Sequence, residues 1–248
     1  CIAHLKRVVK IDPKDADAHF MLGLTYYKKN FTDKAMHEFK QAADLNPRDA
    51  EARNYLGIVY YEQGNLEKAI DEHKSAIQLN RHYTDAFNNL GIALYAKGNL
   101  DEATDAFNKV LELEPKFAEA QYSLGLIYSE QGRSEDAVAS LEKAIKLNPK
   151  IAEAYFKLGE VYTEKNMTEE ALSEYTKAIE VKPGYAEAYY NSGELYASEG
   201  RHDKSITAWK KTLELNPKNA DACFNLGVAY YNQNKLDKAI SMWNKLVE

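Results

Sequence analysis

The sequence has few cysteines, prolines and glycines, and it has no long apolar run. Its 248 residues include two cysteines, six prolines and twelve glycines. Cys1 and Cys223 cannot form a disulfide framework, and neither lies in a metal-ligand spacing. No apolar stretch approaches the roughly 20 residues needed to cross a bilayer, so we expect no membrane span. The opening residues do not resemble a signal peptide, because Lys and Arg fall inside their apolar pattern; the cytoplasm is the favoured compartment.

A surplus of basic charge is also missing. The chain has 32 Lys and Arg against 38 Asp and Glu, for a net charge of −6. Nucleic-acid-binding proteins normally present a basic stripe, so this balance argues against nucleic acid as a partner. Apolar residues make up 45% of the chain, which is enough for a core and argues against disorder.

Sequence motifs of catalysis and metal binding are absent. The six histidines form no HExxH motif, no Cys/His cluster and no pair spaced to hold zinc. The GxSxG, GxxxxGK[ST] and GxGxxG patterns do not occur. His19 and His73 occupy positions of the repeat that are usually taken by packing residues, which favours interior histidines. We therefore predict no enzyme activity, no cofactor and no metal site.

What the sequence does contain is a repeat of 34 residues. All six prolines share one phase of this period, and seven glycines share another. Seven residues after each of those glycines stands a further Gly or Asn: Gly64, Gly98, Gly132, Gly200, Asn30, Asn166 and Asn234. Internal repetition at this length indicates a solenoid.

The period divides the chain into seven repeats and a partial one. Counting Ala16 as position 1, the repeats are 16–49, 50–83, 84–117, 118–151, 152–185, 186–219 and a shortened 220–248, preceded by helix B of a partial repeat at 1–15. Apolar spacing predicts two amphipathic helices in each. In the first repeat, helix A is predicted from about Ala16 to Lys29 and helix B from about Thr32 to Leu45. Position 15 needs a residue that tolerates positive φ, and the proline at position 32 cannot continue helix B.

The residues that fill this frame resemble the tetratricopeptide repeat family over essentially the whole chain. In the first repeat the motif is Leu22-Gly23, Tyr26, Ala35, Phe39, Ala42 and Pro47. The resemblance implies an all-α fold, a right-handed α-solenoid of about seven helix-turn-helix units, in which glycine at position 8 lets the two helices cross closely. Single positions depart from the motif, namely Leu94, Arg81, Ser192, Ser205 and His73.

The resemblance also implies a binding surface. In the family, helix A lines a concave groove, into which positions 2, 5, 6, 9, 12 and 13 point. We therefore expect a non-catalytic scaffold that binds a peptide or helix of a partner protein. The candidate peptide-binding residues are Tyr27, Asn54, Tyr55, Tyr61, Asn88, Asn89, Tyr95, Tyr122, Phe156, Glu160, Tyr190, Asn191, Glu194 and Asn225.

Apart from the asparagines, these candidates form an aromatic group and an acidic group. Repeats one to three supply mainly apolar and aromatic residues. Glu160 and Glu194 stand at position 9, where the five other repeats have Leu, Ile or Val, and the helix dipole does not account for a carboxylate in mid-helix. We expect a ligand with apolar residues facing repeats one to three and Lys or Arg facing repeats five and six. A merely solvated helix face is the alternative.

Asparagines supply a second indication of peptide binding. Asn89, Asn191 and Asn225 occupy position 6, which forms a peptide-binding ladder in some family members. A side-chain amide offers both a donor and an acceptor, which suits a peptide backbone. Ser123 and Lys157 interrupt the ladder. The chaperone-tail clamp of the family is excluded, because position 2 is acidic in every repeat.

Two other hypotheses stay open, and both rest on ends that look cut. Residues 1–14 lack a helix A, and the last repeat stops inside helix B without a polar cap. The chain could be the repeat arm of a larger enzyme such as a glycosyltransferase, or it could self-associate through its terminal helices. Cys1 fits the small position 20 of the partial repeat, and the rival interpretation is a lipidated cysteine.

Overall fold

A computed structural model describes residues 2–246, and every regular element in this part of the chain is an α-helix. The helices are α1 (Ile2–Ile11), α2 (Ala16–Tyr27), α3 (Thr32–Leu45), α4 (Ala50–Glu62), α5 (Leu66–Leu79), α6 (Thr84–Ala96), α7 (Leu100–Leu113), α8 (Ala118–Glu130), α9 (Ser134–Leu147), α10 (Ala152–Glu164), α11 (Thr168–Val181), α12 (Ala186–Ser198), α13 (His202–Leu215), α14 (Ala220–Asn232) and α15 (Leu236–Asn244). The predicted all-α solenoid of helix-turn-helix units is confirmed, and its handedness stays a prediction. Cys1, with both interpretations of it, lies outside the described residues.

The chain divides into two compact units, and the boundary in the sequence falls between Ile127 and Tyr128, within α8. In the first unit each helix from α1 to α6 packs against the next one along the chain. In the second unit the same holds for each helix from α9 to α14. Each unit is therefore a stack of helices in which neighbours in sequence are also neighbours in space, as in other repeat proteins.

The turn inside each helix pair is closed by one residue in the left-handed conformation. After α2 this residue is Asn30, with a φ of 58°. The backbone N–H of Phe31 donates to the carbonyl of Tyr26 at 3.0 Å, and that of Asn30 donates to Tyr27 at 2.9 Å, which is the Schellman pattern. The predicted positive φ is confirmed at all seven position-15 residues. Because residues 28–30 form the turn, α2 ends at Tyr27 and not at Lys29.

Helix A begins after an Asp or Asn cap in three of the predicted repeats. The side chain of Asp15 accepts from the backbone N–H of Ala18 at 2.9 Å. Asp49 and Asn219 make the equivalent bonds, at 3.0 and 2.8 Å. These side chains satisfy backbone donors that have no partner within the helix.

Helix B ends before the proline position, whether or not a proline stands there. α5 ends at Leu79 although Arg81 replaces the proline. The side-chain oxygen of Asn80 accepts from the backbone N–H of His82 at 3.0 Å, which is an Asx turn. Asn46, Asn148 and Asn216 make the same turn in three of the repeats that do have the proline.

In six of the seven predicted repeats, a ring of helix B lies directly against the glycine at position 8 of helix A. A Cβ atom added to Gly57 would lie 2.6 Å from the ring of His73, and one added to Gly23 would lie 2.7 Å from Phe39. The expectation that glycine permits a close crossing is confirmed. The contact also brings the ring at position 24 of helix B directly against helix A, beside the predicted ligand-binding face.

Candidate functional site

The second unit brings four of the predicted ligand contacts into one pocket. Glu160 lies on α10, and Tyr190, Asn191 and Glu194 lie on α12. They line a pocket of about 360 Å³ together with Thr163, Glu164, Tyr175 and Leu195. We call this the acidic pocket, because three of its eight lining residues are glutamates.

Tyr175 of α11 forms the floor of the acidic pocket. It is only 1% exposed, and burial raises the pKa of its phenol. The hydroxyl accepts a hydrogen bond from Nδ2 of Asn191 at 3.3 Å and lies 3.2 Å from Oγ1 of Thr163. The amide of Asn191 is therefore oriented from below by the neighbouring repeat. Sequence analysis did not include Tyr175 or Thr163, since both are joined to the pocket only through contacts between helices.

Glu194 is held in place by Asn225, the next asparagine of the predicted ladder. Nδ2 of Asn225 lies 2.6 Å from Oε1 of Glu194 and 3.3 Å from the hydroxyl of Tyr190. Burial and the nearby charge of Asp221 raise the pKa of Glu194. The site thus disfavours the carboxylate charge in the absence of a ligand, and a cation placed beside Glu194 would relieve that penalty.

Lys157 partly neutralises the acidic pocket. Its ammonium lies 3.3 Å from Oε2 of Glu160, one helical turn away on α10. This ion pair was not predicted, although the i, i+3 spacing of Lys157 and Glu160 on a helix is the sequence signal that indicates it. Within residues 2–246, Glu164 and Glu194 have no ion pair with Lys or Arg, so the pocket keeps a net negative charge.

Phe156 lies next to the acidic pocket and contacts its floor. The centroid of its ring is 5.6 Å from that of Tyr175 and 4.8 Å from that of Tyr185. Tyr185 precedes α12 at the position where Asp15 and Asp49 cap other A helices. Phe156 is partly exposed, so it combines a packing contact with a surface that a ligand can reach.

In the first unit the predicted aromatic residues form a cluster. The ring of Tyr55 stacks on Phe39 at 5.4 Å and meets Phe20 edge-on at 5.7 Å. The ring of Tyr27 lies 6.3 Å from Tyr55, and its hydroxyl donates to Glu62 at 2.5 Å. Burial and this bond raise the pKa of Tyr27 to about 12, so the phenol stays protonated at neutral pH. Tyr27 and Tyr55 are both partly exposed and offer ring surface to a ligand.

Asn54 is buried beneath this surface and supports another ladder residue. It is 2% exposed, and its Oδ1 accepts from Nδ1 of His73 at 2.8 Å and from Nδ2 of Asn89 at 3.2 Å. Its own Nδ2 donates to the hydroxyl of Tyr83 at 3.3 Å. With both amide atoms engaged, Asn54 positions Asn89 and is not itself accessible. Its predicted role as a direct ligand contact is therefore corrected. The sequence could not show this, because repeat position alone does not tell that position 5 of this repeat faces inward.

The remaining predicted contacts are partly exposed on their helices. They are Tyr61, Asn88, Tyr95 and Tyr122. Between residues 2 and 246, no group of three or more His, Cys, Asp or Glu side chains could hold a metal ion. No helix in the same range has the length and apolar character required to cross a membrane.

Family models match nearly the whole chain. A model described as "TPR repeat" matches residues 2–30, 93–132, 127–166, 159–200 and 193–234. Two models described as "Tetratricopeptide repeat" match residues 20–84 and 221–248. No curated protein matches the chain significantly.

Several solved structures are similar to the chain. YrrB, described as a TPR protein with an unusual peptide-binding site, is 27% identical with a TM-score of 0.60, over 74% of this chain and 95% of YrrB. MamA is 35% identical with a TM-score of 0.59, over 63% of this chain and 91% of MamA. PilF of Pseudomonas aeruginosa is 19% identical with a TM-score of 0.73, over 90% of this chain and 99% of PilF, a similarity of fold alone.

Proposed function

The chain belongs to the tetratricopeptide repeat family, and from this premise we propose that it is a non-catalytic scaffold whose A helices bind a peptide or helix of a partner protein. The repeats and the structural neighbours support a role in protein interaction generally. The similarity to YrrB, described as having a peptide-binding site, supports a peptide as the form of the ligand.

The observation that carries the proposal is the acidic pocket. Glu160, Glu164 and Glu194 converge there around Tyr190 and the oriented amide of Asn191. A Lys or Arg side chain would find charge-assisted hydrogen bonds to the carboxylates, and the amide would remain for the backbone. The ligand we propose therefore carries at least one basic residue, which binds in this pocket.

The aromatic cluster of the first unit supports apolar residues elsewhere in the ligand. Tyr27 and Tyr55 present large, rigid surfaces that are fixed by packing against Phe20 and Phe39. Aromatic side chains of this kind commonly act as anchors at interfaces. An apolar or aromatic ligand residue would gain the most from this surface.

The test compares two double variants that change the net charge equally. The pocket variant is Glu160→Lys with Glu194→Lys, and the control is Glu142→Lys with Glu180→Lys, at exposed sites on α9 and α11. Both are used with the wild type to capture partners from the source lysate, and the captured proteins are identified by mass spectrometry. We expect a partner that the wild type and the control retain and the pocket variant loses.

Salt provides the second readout of the same experiment. Binding through charge complementarity is weakened by salt, so raising NaCl from 0.15 to about 0.5 M should reduce capture by the wild type. A partner held equally by the pocket variant and by the wild type, at both salt concentrations, would exclude the acidic pocket as the binding site.

A further inference from the structure

The sixth predicted repeat lacks the leucine that the others have at position 7. That leucine is buried in every other repeat, with an exposure of 8% or less, at Leu22, Leu56, Leu90, Leu124, Leu158 and Leu226. Leu226 of α14 shows what it does, since it packs in one core cluster with Ile206 and Trp209 of the preceding helix. A leucine at this position thus fills space between helix A and a helix B.

In α12 the position is taken by Ser192. Its hydroxyl donates to the carbonyl of Ala188 at 2.7 Å, so the polar atom is satisfied within its own helix. The short side chain leaves the adjacent space unfilled. Ser192 lines a cleft of about 920 Å³ between α11 and α13, together with Ile179, Tyr189, Tyr196 and Ala208. We call it the Ser192 cleft.

The rim of the Ser192 cleft carries three lysines and two carboxylates, those of Asp203 and Glu214, and two of the lysines form no ion pair with either of them. Lys211 pairs with Glu214 at 2.8 Å. The ammonium of Lys204 lies 5.4 Å from the ring centroid of Tyr196, and that of Lys210 lies 5.8 Å from that of Tyr230. In the part of the chain that the structure describes, neither of these two lysines forms an ion pair with Asp or Glu. The rim therefore offers two ammonium groups to an incoming carboxylate.

The Ser192 cleft and the acidic pocket lie on opposite sides of α12. Tyr189, Ser192 and Tyr196 follow the spacing i, i+3, i+7 and share one face of the helix. Asn191 and Glu194 are displaced from that face by more than a quarter of a turn. A segment bound in the cleft would leave the acidic pocket accessible.

We propose that the Ser192 cleft is a second docking site, which takes an acidic, amphipathic segment of a partner protein. One aliphatic side chain of the segment occupies the space that leucine fills in the other repeats. Its flanking Asp or Glu residues pair with Lys204 and Lys210. The six leucines identify the size and polarity of the missing side chain, and the two lysines identify the sign of the charge around it. The site does not depend on the proposed function of the acidic pocket.

The test is a selection with a matched counter-selection. Random 12-residue peptides displayed on phage are selected on the full chain, after depletion on the Ser192→Leu variant. Selected peptides are synthesised and measured by fluorescence anisotropy against both proteins. We expect them to share an aliphatic residue flanked by Asp or Glu, and to bind Ser192→Leu at least about tenfold more weakly, because the introduced leucine occupies their site.

Two further measurements separate this result from misfolding. Ser192→Leu should melt no lower than the wild type, since leucine stands at this position in the six other repeats. Lys204→Glu with Lys210→Glu leaves the cleft open and should weaken the same peptides at least about fivefold, whereas Lys143→Glu with Lys146→Glu on α9 should not. The proposal is overturned if no peptide survives depletion, if the survivors lack the acidic and aliphatic pattern, or if the Lys204 and Lys210 reversals leave binding unchanged.

Discussion

Nδ1 of His73 donates a hydrogen bond to Oδ1 of Asn54 at 2.8 Å, and the two residues are 1% and 2% exposed. Burial lowers the pKa of His73 to about 4, so the ring is neutral at physiological pH. At the same two positions, the first and fifth predicted repeats have a contact between aromatic rings of helices A and B, Phe20 with Phe39 and Phe156 with Tyr175. It also holds Asn89 at the surface, so the packing of one repeat sets the geometry of a predicted ligand contact in the next.

The first prediction is that acid destabilises the protein through His73. The imidazole of His73 binds a proton near pH 6.5 in the unfolded chain and only near pH 4 in the folded chain. Stability contributed by neutral His73 is therefore complete above about pH 6.5, and it falls as the pH drops to 4, by up to about 3 kcal/mol. Urea denaturation at pH 7, 5.5 and 4 measures this loss.

The matched variants for this measurement are His73→Phe and His202→Phe. Phenylalanine stands at the position of His73 in two other repeats, at Phe39 and Phe107, and His202 is exposed. Replacing His73 should flatten the pH dependence between 6.5 and 4, and replacing His202 should preserve it. An unchanged slope in His73→Phe would assign the acid sensitivity to other groups.

The second prediction concerns the glycine that crosses Tyr175. A Cβ atom at Gly159 would lie 2.6 Å from the Tyr175 ring, whereas a Cβ atom at Gly184 would meet nothing within 4 Å. Gly159→Ala should therefore lower the free energy of unfolding by about 1–3 kcal/mol, and Gly184→Ala should change it by less than about 0.5 kcal/mol. Urea denaturation compares the two. Equal changes in the free energy of unfolding would mean that α10 and α11 can move apart without a loss of stability.

The third prediction concerns the left-handed turn residue Asn166, whose φ is 58°. Asn166→Ala should lower the free energy of unfolding by about 1 kcal/mol, because a residue that has a Cβ atom but no hydrogen-bonding side chain is disfavoured at positive φ. Asn166→Gly should leave the free energy of unfolding unchanged, because glycine tolerates this conformation. Asn232→Ala, at the exposed end of α14, is the control with helical backbone. The midpoint of urea denaturation ranks the three variants, and a ranking with glycine below alanine would contradict the role of backbone conformation.

The fourth prediction is that Lys157 limits the affinity of the acidic pocket for a basic ligand. Lys157→Ala frees Glu160 from its 3.3 Å ion pair and removes a positive charge from the pocket. Binding of a Lys-containing peptide derived from the captured partner should strengthen by about two- to tenfold. Lys146→Ala, exposed on α9, makes the same change of charge elsewhere. Isothermal titration calorimetry of the peptide with both variants measures the two affinities. Equal affinities would mean that Glu160 does not contact the basic residue of the ligand.

The positions of the helices and turns could be predicted from the sequence, because their determinants are local. Asn30 and its six equivalents require a residue that tolerates positive φ, and an acidic side chain favours the first turn of a helix, regardless of what packs nearby. The end of α2 was misplaced by two residues, because the hydrogen bonds of the turn begin at Tyr26, before the left-handed residue itself.

The candidate site could be predicted only in part, since repeat position does not say which side chains are already engaged. Glu160, Tyr190, Asn191 and Glu194 do converge in one pocket. Asn54 was predicted as a ligand contact by the same argument from repeat position, but its side chain is buried.

The sequence by itself determined the fold, since apolar, small and turn residues recur with a period of 34 residues and produce the same pair of helices in each repeat. Only the tertiary structure decided which polar groups of helix A remain for a ligand and which are used by the protein. His73 reaches Asn54 from 19 residues away, and Asn225 reaches Tyr190 from 35. The contacts that assign these roles are made between helices, and they come into existence only when the helices stack.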